Sequence, residues 1–264
     1  MKKDWKETAL AGAVLAGAYI GMRAAAKRWA DDKNIDDGNP YMDSPLSGEE
    51  KKRMNLYADT VKPALDRVLS FGGLVALSPL LAVISAAVWV DDPGPVLFTQ
   101  KRIGRDKHYI MIHKFRTMAA ATPHDVPTHK LENPEQYITR VGKILRKTSL
   151  DELPQIWDIF RGKMSVIGPR PALWNQDDLV AERDKYGANH VMPGLTGLAQ
   201  ISGRDELEIS VKAKYDGAYV KELNAGNGRG FRMDMWCFLD TIRSVLRNDG
   251  VVEGGTGTLN KTSV

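Results

Sequence analysis

Residues 68–90 read VLSFGGLVALSPLLAVISAAVWV, a run of 23 residues without a charge between Arg67 and Asp91. About 20 apolar residues cross the ~30 Å hydrocarbon core of a bilayer, so this run is long enough to enter a membrane. Ser78 and Pro79 interrupt it near its middle. Because proline lacks a backbone N–H and its ring clashes with the carbonyl four residues earlier, the sequence predicts a bend there. The serine hydroxyl can then bond the freed carbonyl.

Basic residues flank the uncharged run on both sides. Lysine and arginine mark the cytoplasmic side of a membrane segment, so two basic flanks conflict with a simple span. Two interpretations follow: a re-entrant hairpin that dips into one leaflet, or a spanning helix with a proline kink. The charges alone leave both open. The flanking residues are Lys51, Lys52, Arg53, Lys62 and Arg67 before the run, and Lys101, Arg102, Arg105, Lys107, Lys114 and Arg116 after it.

The composition fits one domain of moderate size with membrane-associated parts. The chain has 264 residues, with 37 Lys and Arg against 33 Asp and Glu. This small positive excess suits phosphate substrates or an anionic membrane face, and it is too small to argue for nucleic acid. The single cysteine, Cys237, excludes an internal disulfide. Without CxxC or HExxH spacing, the sequence indicates no zinc or iron site.

An N-terminal extension over residues 1–60 precedes the main predicted domain. Thr8–Met22 is uncharged but only 15 residues long, which is short for a spanning helix. It could be a signal peptide, but Gly17 and Gly21 favour a packing helix, because a GxxxG pair lets helices approach closely. Its partner would be the hairpin or a second subunit, as in a homodimer. The polar stretch Asp31–Ser47 is typical of a linker.

The rest of the chain predicts an α+β fold that is mostly helical, over residues 61–247, followed by a flexible tail over residues 248–264. Hydrophobic periodicity and turn residues place the elements. A helix begins near the capping pair Ser47 and Glu50 and restarts at Pro63 before the hairpin. The predicted strands are Val96–Gln100 and Tyr109–Phe115, and the predicted helices are Ile138–Leu145, Gln155–Phe160, Asp177–Tyr186, Val211–Leu223 and Asp234–Arg247. We expect loops or connectors at 119–136, Gly162–Pro171 and Met192–Arg204.

Two adjacent carboxylates, Asp151 and Glu152, stand in the segment RKTSLDELPQ. Proline is tolerated only in the first turn of a helix, so Pro154 predicts a helix that starts at about residue 149–152. The carboxylates would then lie at a helix N-terminus, where backbone donors favour negative charge. Helix capping is the alternative, since Ser149 and Glu152 have capping-box spacing.

Basic side chains in neighbouring motifs favour a phosphate site over simple capping. Arginine forks hold phosphate oxygens at two points, and a polyphosphate substrate would bring Mg²⁺, which takes one or two carboxylates plus phosphate oxygens. The five histidines lack triad spacing, so no catalysis is assigned to them. The candidate substrate-binding residues are Lys114, Arg116, Arg146, Arg170 and Arg204.

Seven motifs occur in order between Val61 and Leu246, a stretch of about 70 per cent of the chain. They are LSPLL, DDPGPVLFTQKRIG, KFRTM, LRKTSLDELPQ, MSVIGPRP, PGLTGLAQISGR and YDGAYV. Together they resemble the bacterial sugar transferases that are monotopic phosphoglycosyl transferases, and their number and order make the resemblance specific.

The resemblance implies a reaction and a topology. A sugar 1-phosphate would pass from a UDP-sugar to a polyprenyl phosphate, usually undecaprenyl phosphate, and UMP would leave. It implies that Asp151 is a covalent nucleophile, that Glu152 helps hold Mg²⁺, and that Arg170 binds phosphate. It also implies a re-entrant, helix-break-helix hairpin broken at Ser78 and Pro79. Membrane lipid would then be a partner, and a small catalytic domain would face the cytoplasm at the bacterial inner membrane.

Two stretches depart from the family pattern. Residues 1 to about 60 have no counterpart in the smallest members, and Lys221–Arg232 is longer and richer in glycine than the usual connection. The sugar and the pathway therefore stay open. Two other functions also remain: a membrane-anchored scaffold with the same fold, and a UDP-sugar hydrolase in which water intercepts the phosphosugar.

Overall fold

The computed structural model describes residues 35–36, 39–41, 55–122, 134–203 and 207–247. Several predictions fall outside these residues. They concern the packing helix at 8–22 with Gly17 and Gly21, the capping pair Ser47 and Glu50, most of the polar linker, the phosphate-binding role of Arg204, and the tail from residue 248.

The described residues form an α+β structure that is mostly helical, as predicted. The helices are α1 (Lys62–Asp91), α2 (Arg140–Thr148), α3 (Gln155–Phe160), α4 (Asp177–Asp184), α5 (Leu198–Ile201), α6 (Ile209–Asn224) and α7 (Arg229–Arg247). The strands are β1 (Leu97–Ile103), β2 (Tyr109–Phe115), β3 (Ser165–Ile167) and β4 (Gly194–Thr196). A π-helical turn precedes α1, and 3₁₀ turns occupy Arg105–Lys107, Pro134–Tyr137, Leu150–Glu152 and Ala188–His190.

The long helix α1 contains the uncharged run and stays helical through Ser78 and Pro79, so the helix-break-helix predicted there is not seen as an interruption of the helix. The Ser78 hydroxyl donates to the Val75 carbonyl at 2.8 Å. Val75 lies four residues before Pro79, so this is the carbonyl that proline leaves without its helical donor. The predicted serine bond is therefore confirmed. Among the described residues, the helical segment Tyr57–Asp91 is the one long and apolar enough to cross a membrane.

The described residues fall into two compact units. One includes Leu74–Thr99 and His113–Pro154, and the other includes Asp36–Gly73, Gln100–Ile112 and Gln155–Val264. The strands β1 and β2 form a two-stranded sheet, and β3 and β4 form another. The predicted bounds of β2 and α3 are confirmed, whereas β1 extends to Ile103 and α7 starts at Arg229, five residues earlier than predicted.

The core of the first unit joins α1, β2 and α2. Ile84, Val88, Phe115 and Leu145 form a buried apolar cluster. The start of α2 is fixed by two caps, since Thr139 Oγ1 accepts from Gly142 N at 3.0 Å and Asp91 Oδ2 accepts from Val141 N at 2.8 Å. The last residue of α1 thus satisfies a backbone donor that α2 leaves open.

The second unit contains a pair of short parallel strands where a connector and a loop were predicted. β3 and β4 pair with Ser165 opposite Gly194 and Ile167 opposite Thr196. A side chain on Gly168 would overlap the backbone of Gly194. The glycines of these two motifs therefore permit close backbone approach, and the predictions for these residues were wrong.

A cluster of buried residues from helices and from β3 forms a core of the second unit. It includes Ile167, Leu198, Tyr219, Leu223 and Cys237, so it draws on β3, α5, α6 and α7. Cys237 is fully buried and has a free thiol.

The first turns of α1 carry a buried polar stripe into the second unit. Lys62, Asp66 and Ser70 are spaced four residues apart and are all buried. Lys62 Nζ lies 2.7 Å from Asp234 Oδ2. Asp66 accepts from Ser165 Oγ at 2.6 Å and from Val166 N at 3.1 Å. The stripe fixes the helix to the unit before the uncharged run begins.

Part of the stretch predicted as a linker is docked on the second unit. Asp36 accepts from Tyr109 N at 2.7 Å and lies 2.9 Å from His108 Nδ1. Asn39 donates to the Lys107 carbonyl at 3.0 Å. Burial would raise the pKa of Asp36, but the hydrogen bonds from Tyr109, His108 and Asn39 outweigh it and hold that pKa below its usual value.

Candidate active site

The two adjacent carboxylates lie in a 3₁₀ turn, Leu150–Glu152, that connects α2 to α3. The α-helix itself begins at Gln155, directly after Pro154, so the prediction of a helix start at 149–152 was too early. Ser149 has left-handed backbone angles and makes no side-chain cap, so the capping-box alternative is wrong. In a 3₁₀ turn of three residues per turn, neighbouring side chains point about 120° apart. Asp151 and Glu152 can therefore face different partners.

Lys114 of β2 forms an ion pair with Glu152. The ammonium Nζ lies 2.7 Å from Oε1, and the two side chains are 17% and 18% exposed. The first unit thus brings together one predicted cation and one predicted carboxylate. Because the pair is partly open, its charges can still interact with a phosphate or a cation from solution.

The structure gives Arg146 and Arg116 contacts within the same unit. Arg146 Nε donates to Thr117 Oγ1 at 2.9 Å. Arg116 is buried, donates to the Asp92 carbonyl and lies 3.4 Å from Asp92 Oδ2. Arg116 therefore holds the turn that follows α1. This structural contact competes with the phosphate-binding role predicted for its guanidinium.

Arg170 lies in the second unit, after β3, and its backbone is held by a buried ion pair. Its carbonyl accepts from Arg183 Nη2 at 2.9 Å. Arg183 in turn bonds Asp216 Oδ2 from Nε at 2.8 Å and from Nη2 at 2.7 Å. Burial raises the pKa of Asp216, and the Arg183 guanidinium opposes that rise. The motif that contains Arg170 is therefore positioned from α4 and α6.

Sequence reasoning missed Arg183 and gave no role to Asp216. Asp216 stands in the motif YDGAYV, between tyrosines on a helix, and that is the signal that could have marked it. An aspartate on the buried side of a helix needs a cation or donors nearby. The partner itself lies 33 residues away and has no motif of its own.

The adjacent carboxylates Asp151 and Glu152, called the dyad below, suit a Mg²⁺ site in which most of the ligands are substrate oxygens and waters. Within the described residues, no group of three or more His, Cys, Asp or Glu side chains is arranged to hold a metal. Mg²⁺ often uses one or two carboxylates plus phosphate oxygens, and Asp151 with Glu152 supplies that number. Lys114 already lies on one Glu152 oxygen, so an ion there would share this carboxylate with the ammonium.

Residues 57–248 match the sequence profile of the family described as Bacterial sugar transferase. The chain belongs to the bacterial sugar transferase family. The match covers more than two thirds of the chain and includes every predicted site residue, from Ser78 to Arg204. The motifs that carried the resemblance therefore lie inside the family region.

Three relatives illustrate the range of this bacterial sugar transferase family. UDP-glucose:undecaprenyl-phosphate glucose-1-phosphate transferase of Escherichia coli (strain K12) is 38% identical over 190 residues, 69% of this chain and 39% of the relative. Exopolysaccharide production protein ExoY of Rhizobium meliloti (strain 1021) is 34% identical over 191 residues, 67% of this chain and 79% of the relative. UDP-N-acetylgalactosamine-undecaprenyl-phosphate N-acetylgalactosaminephosphotransferase of Aeromonas hydrophila is 30% identical over 198 residues, 72% of this chain and 44% of the relative.

The lengths of these sugar transferases differ from that of this chain. The chain spans about two fifths of the glucose-1-phosphate transferases of Escherichia coli and Klebsiella pneumoniae, and about four fifths of ExoY. The names of these relatives also differ in the sugar, which is glucose in one and N-acetylgalactosamine in another.

Proposed function

We propose that this chain transfers a sugar 1-phosphate from a UDP-sugar to undecaprenyl phosphate and releases UMP, as the first membrane step of surface polysaccharide or glycoconjugate assembly. The observation that carries the proposal is the Lys114–Glu152 pair beside Asp151, in the family region of a chain with a membrane-length helix. The names of the relatives support the donor and acceptor classes.

The first half-reaction uses Asp151 as the nucleophile. One carboxylate oxygen forms a bond to the phosphorus that carries the sugar, and the bond from that phosphorus to the bridging oxygen breaks. UMP leaves with the bridging oxygen and its electron pair. Asp151 then holds the sugar phosphate as a mixed anhydride. No proton is needed, because both the nucleophile and the leaving group are anions.

The second half-reaction regenerates the free carboxylate of Asp151. A phosphate oxygen of undecaprenyl phosphate attacks the same phosphorus, and the bond to the Asp151 oxygen breaks. The product is an undecaprenyl diphosphate sugar. Two steps through one carboxylate let a soluble donor and a lipid acceptor use the same site in turn.

Cationic groups near the dyad lower the charge barrier to this attack. Lys114 contacts Glu152, and its ammonium would offset negative charge as the diphosphate approaches. Glu152, alone or with Asp151, would hold Mg²⁺, which neutralises diphosphate charge when bound. The family motifs, rather than a distance to these carboxylates, support phosphate binding by Arg146, Arg170 and Arg204.

The covalent step predicts that Asp151→Asn abolishes turnover, because the amide lacks the negative charge needed for attack. The measurement is UMP release over a panel of UDP-sugars with undecaprenyl phosphate in detergent. Wild type given labelled UDP-sugar without acceptor should keep the sugar phosphate on the peptide that contains Asp151. Glu152→Gln should slow both half-reactions and weaken the dependence on Mg²⁺.

The exposed Asp178 supplies a matched control, since Asp178→Asn removes the same charge on α4. It should leave UMP release unchanged. Substantial turnover by Asp151→Asn, or label on another peptide, contradicts the covalent role. Repeated turnovers of UMP release without undecaprenyl phosphate, beyond one UMP per enzyme, would favour a hydrolase, and no release with any UDP-sugar would favour a scaffold.

We propose that α1 enters the membrane as a re-entrant helix with its bend at Ser78 and Pro79. Both ends and the catalytic units would then face the cytoplasm at the bacterial inner membrane. Basic residues on both sides of the run support this topology, and the Ser78 bond to Val75 stabilises backbone at the proline.

Two single cysteines, Leu56→Cys before α1 and Ala121→Cys after β2, test the topology. Both positions are exposed. An impermeant thiol reagent should label neither in intact cells and both after the membrane is permeabilised. If one position is labelled in intact cells and the other is not, α1 spans the membrane and the re-entrant proposal fails.

A further inference from the structure

The turn between β1 and β2 has an unusual backbone that its surroundings must hold. Asp106 and Lys107 both have left-handed backbone angles, with φ of 53° and 63°, although neither is a glycine. Such angles cost free energy and persist where neighbouring groups enforce them. Lys107 Nζ lies 3.0 Å from Asp184 Oδ2 on α4, and Asp106 Oδ1 lies 3.0 Å from His190 Nδ1. The side chains of the turn are therefore fixed by α4 and by the 3₁₀ turn that follows it.

Residues that precede the family region hold the backbone of the same turn. Asn39, which is only 5% exposed, donates to the Lys107 carbonyl at 3.0 Å. The Asp36 carboxylate accepts from the Tyr109 amide at 2.7 Å. The family match begins only at residue 57, so these contacts come from outside the family region. They satisfy one backbone acceptor and one backbone donor at the entry to β2.

Tyr41 extends these contacts to α4. Its hydroxyl donates to the carboxylate of Asp177, the first residue of that helix. Burial, followed by the hydrogen bond to Asp177, raises the pKa of Tyr41, so the phenol stays protonated and remains a donor at neutral pH. The three residues, called the strap below, join the β1–β2 turn to the start of α4. They are Asp36, Asn39 and Tyr41.

Both ends of the strap lie near one buried side chain, Tyr109. Burial is the main cause that raises the pKa of Tyr109, and the negative charges of Asp177 and Asp36 raise it further. Both carboxylates are therefore close enough to act on the same phenol. The Lys101 ammonium lies 4.8 Å from the centre of the Tyr109 ring and 5.7 Å from the centre of the Trp174 ring. The strap, the turn and Trp174 thus belong to one region of the second unit.

The chain that leaves Arg170 runs through this region. Two hydrogen bonds from the end of β1 hold the segment 171–176 at its start, one to the Pro171 carbonyl at 3.1 Å and one to the Ala172 carbonyl at 2.9 Å. The segment ends at the first residue of α4, which Tyr41 binds. Arg170 therefore precedes a segment that is held at both ends, by β1 and by the strap.

We propose that the strap is a positioning element for the nucleotide-sugar donor and that Tyr41 is its decisive residue. Through the first residue of α4, Tyr41 fixes the segment 171–176 and with it the backbone of Arg170. This role rests on the proposed function, in which Arg170 contacts a donor phosphate. Tyr41 itself contacts neither the donor nor the reacting atoms. A loosened segment has to be ordered when the donor binds, so loss of the strap contact weakens donor binding and leaves the chemical step nearly unchanged.

Tyr41→Phe tests the positioning role because it removes only the hydroxyl. The dissociation constant of UDP is measured by isothermal titration calorimetry on the full chain in detergent with Mg²⁺. KM and kcat are measured by UMP release over the panel of UDP-sugars with undecaprenyl phosphate. The UDP dissociation constant and KM should each rise at least threefold, with kcat changed less than twofold. Tyr186→Phe removes the hydroxyl of an exposed tyrosine in the same unit, and this matched control should change none of these values.

A double-mutant cycle tests whether Tyr41 acts through Asp177. Asp177→Ala should raise the UDP dissociation constant as much as Tyr41→Phe does, and the two substitutions together should cost no more than either alone. Asp177→Asn keeps an oxygen that accepts from Tyr41, so it should retain most of the affinity. General destabilisation would instead lower kcat through loss of active protein, at an unchanged dissociation constant. Additive losses in the double variant overturn the route through Asp177.

Hydrogen exchange measures the hold of the strap on the turn without any substrate. The Tyr109 amide donates to Asp36, so Asp36→Ala should raise exchange in residues 105–110 at least tenfold. Exchange in α6 should stay the same and serves as the internal control. Unchanged exchange in residues 105–110 means that the strap does not hold the turn, and it overturns the proposal.

Failure of the strap and failure of the proposed function give different results. If the wild type releases UMP while Tyr41→Phe leaves KM and the UDP dissociation constant unchanged, the strap proposal fails and the function stands. A loss confined to kcat overturns it as well. If UDP affinity depends on Tyr41 but no UMP is released, the positioning role stands and the transfer reaction fails. A wild-type chain that neither binds UDP nor releases UMP contradicts both.

Discussion

Two ion pairs, one in each unit, have nearly the same bond lengths and very different surroundings. Lys114 and Glu152 approach to 2.7 Å with side chains 17% and 18% exposed. Arg183 and Asp216 also approach to 2.7 Å, but their side chains are 7% and 1% exposed. A buried pair cannot exchange its partner, since either charge left alone would be desolvated without compensation. The more open pair can, so burial rather than distance separates a structural pair from a candidate catalytic one.

The largest effect should come from breaking the buried pair. Asp216→Ala leaves Arg183 buried without its carboxylate and loosens the hold on the Arg170 carbonyl. We expect the free energy of unfolding to fall by about 3–5 kcal/mol. Denaturant unfolding in detergent measures this loss. The control Glu182→Ala removes an exposed pair with Lys185 and should cost at most about 1 kcal/mol. Similar losses in the two variants would erase the distinction between buried and open pairs.

Removing the Lys114–Glu152 pair should lower activity more than it lowers stability. Lys114→Met removes the ammonium beside the dyad, so we expect kcat/KM for UMP release to fall roughly 10- to 100-fold. The free energy of unfolding should fall less than in Asp216→Ala, because the Lys114 pair is 17% and 18% exposed rather than 7% and 1%. Lys143→Met, on the exposed side of α2, is the matched control and should keep full activity. A loss of 3 kcal/mol in stability with activity retained would make the Lys114 pair structural.

The smallest effect concerns the docked carboxylate Asp36. Its pKa is held below the ordinary value of 3.8, so it stabilises the fold above about pH 4, and that contribution is lost as the pH falls through the lowered pKa. Asp36→Asn should cost less than about 1 kcal/mol at pH 7, because the side chain is about one third exposed. Thermal unfolding of both proteins across pH 3–7 measures it. A difference that grows on acidification would contradict this sign.

The sequence predicts best where one residue and its near neighbours decide the structure. Pro79 and Ser78 predict the hydrogen bond from the Ser78 hydroxyl to the Val75 carbonyl because all three residues lie within about one helical turn. The strand-favouring residues of the seven-residue run YIMIHKF give the bounds of β2. Three-residue strands such as β3 contain too little alternation to identify, and their glycines suggest loops.

Contacts between distant residues explain the other errors. α7 was predicted to start at Asp234 because glycines at 226, 228 and 230 weaken any helical pattern. Arg116 matched a phosphate-binding pattern, yet it contacts Asp92, which lies 24 residues earlier in a different motif. For the site, the sequence could predict which charged groups cluster in motifs. It could not predict which of them the fold would bury.

The polar stripe at the start of α1 has a consequence for the order in which the protein is made. Lys62 and Asp66 leave the ribosome long before their partners, and Lys62 lies 172 residues ahead of Asp234. At about 5–20 residues per second, that interval lasts on the order of 10–35 s. During this time the uncharged run has been synthesised, but Lys62 and Asp66, which precede it, do not yet have their partners in α7 and β3. If α1 enters the membrane as proposed, its uncharged run can insert before α7, which supplies Asp234, has been made.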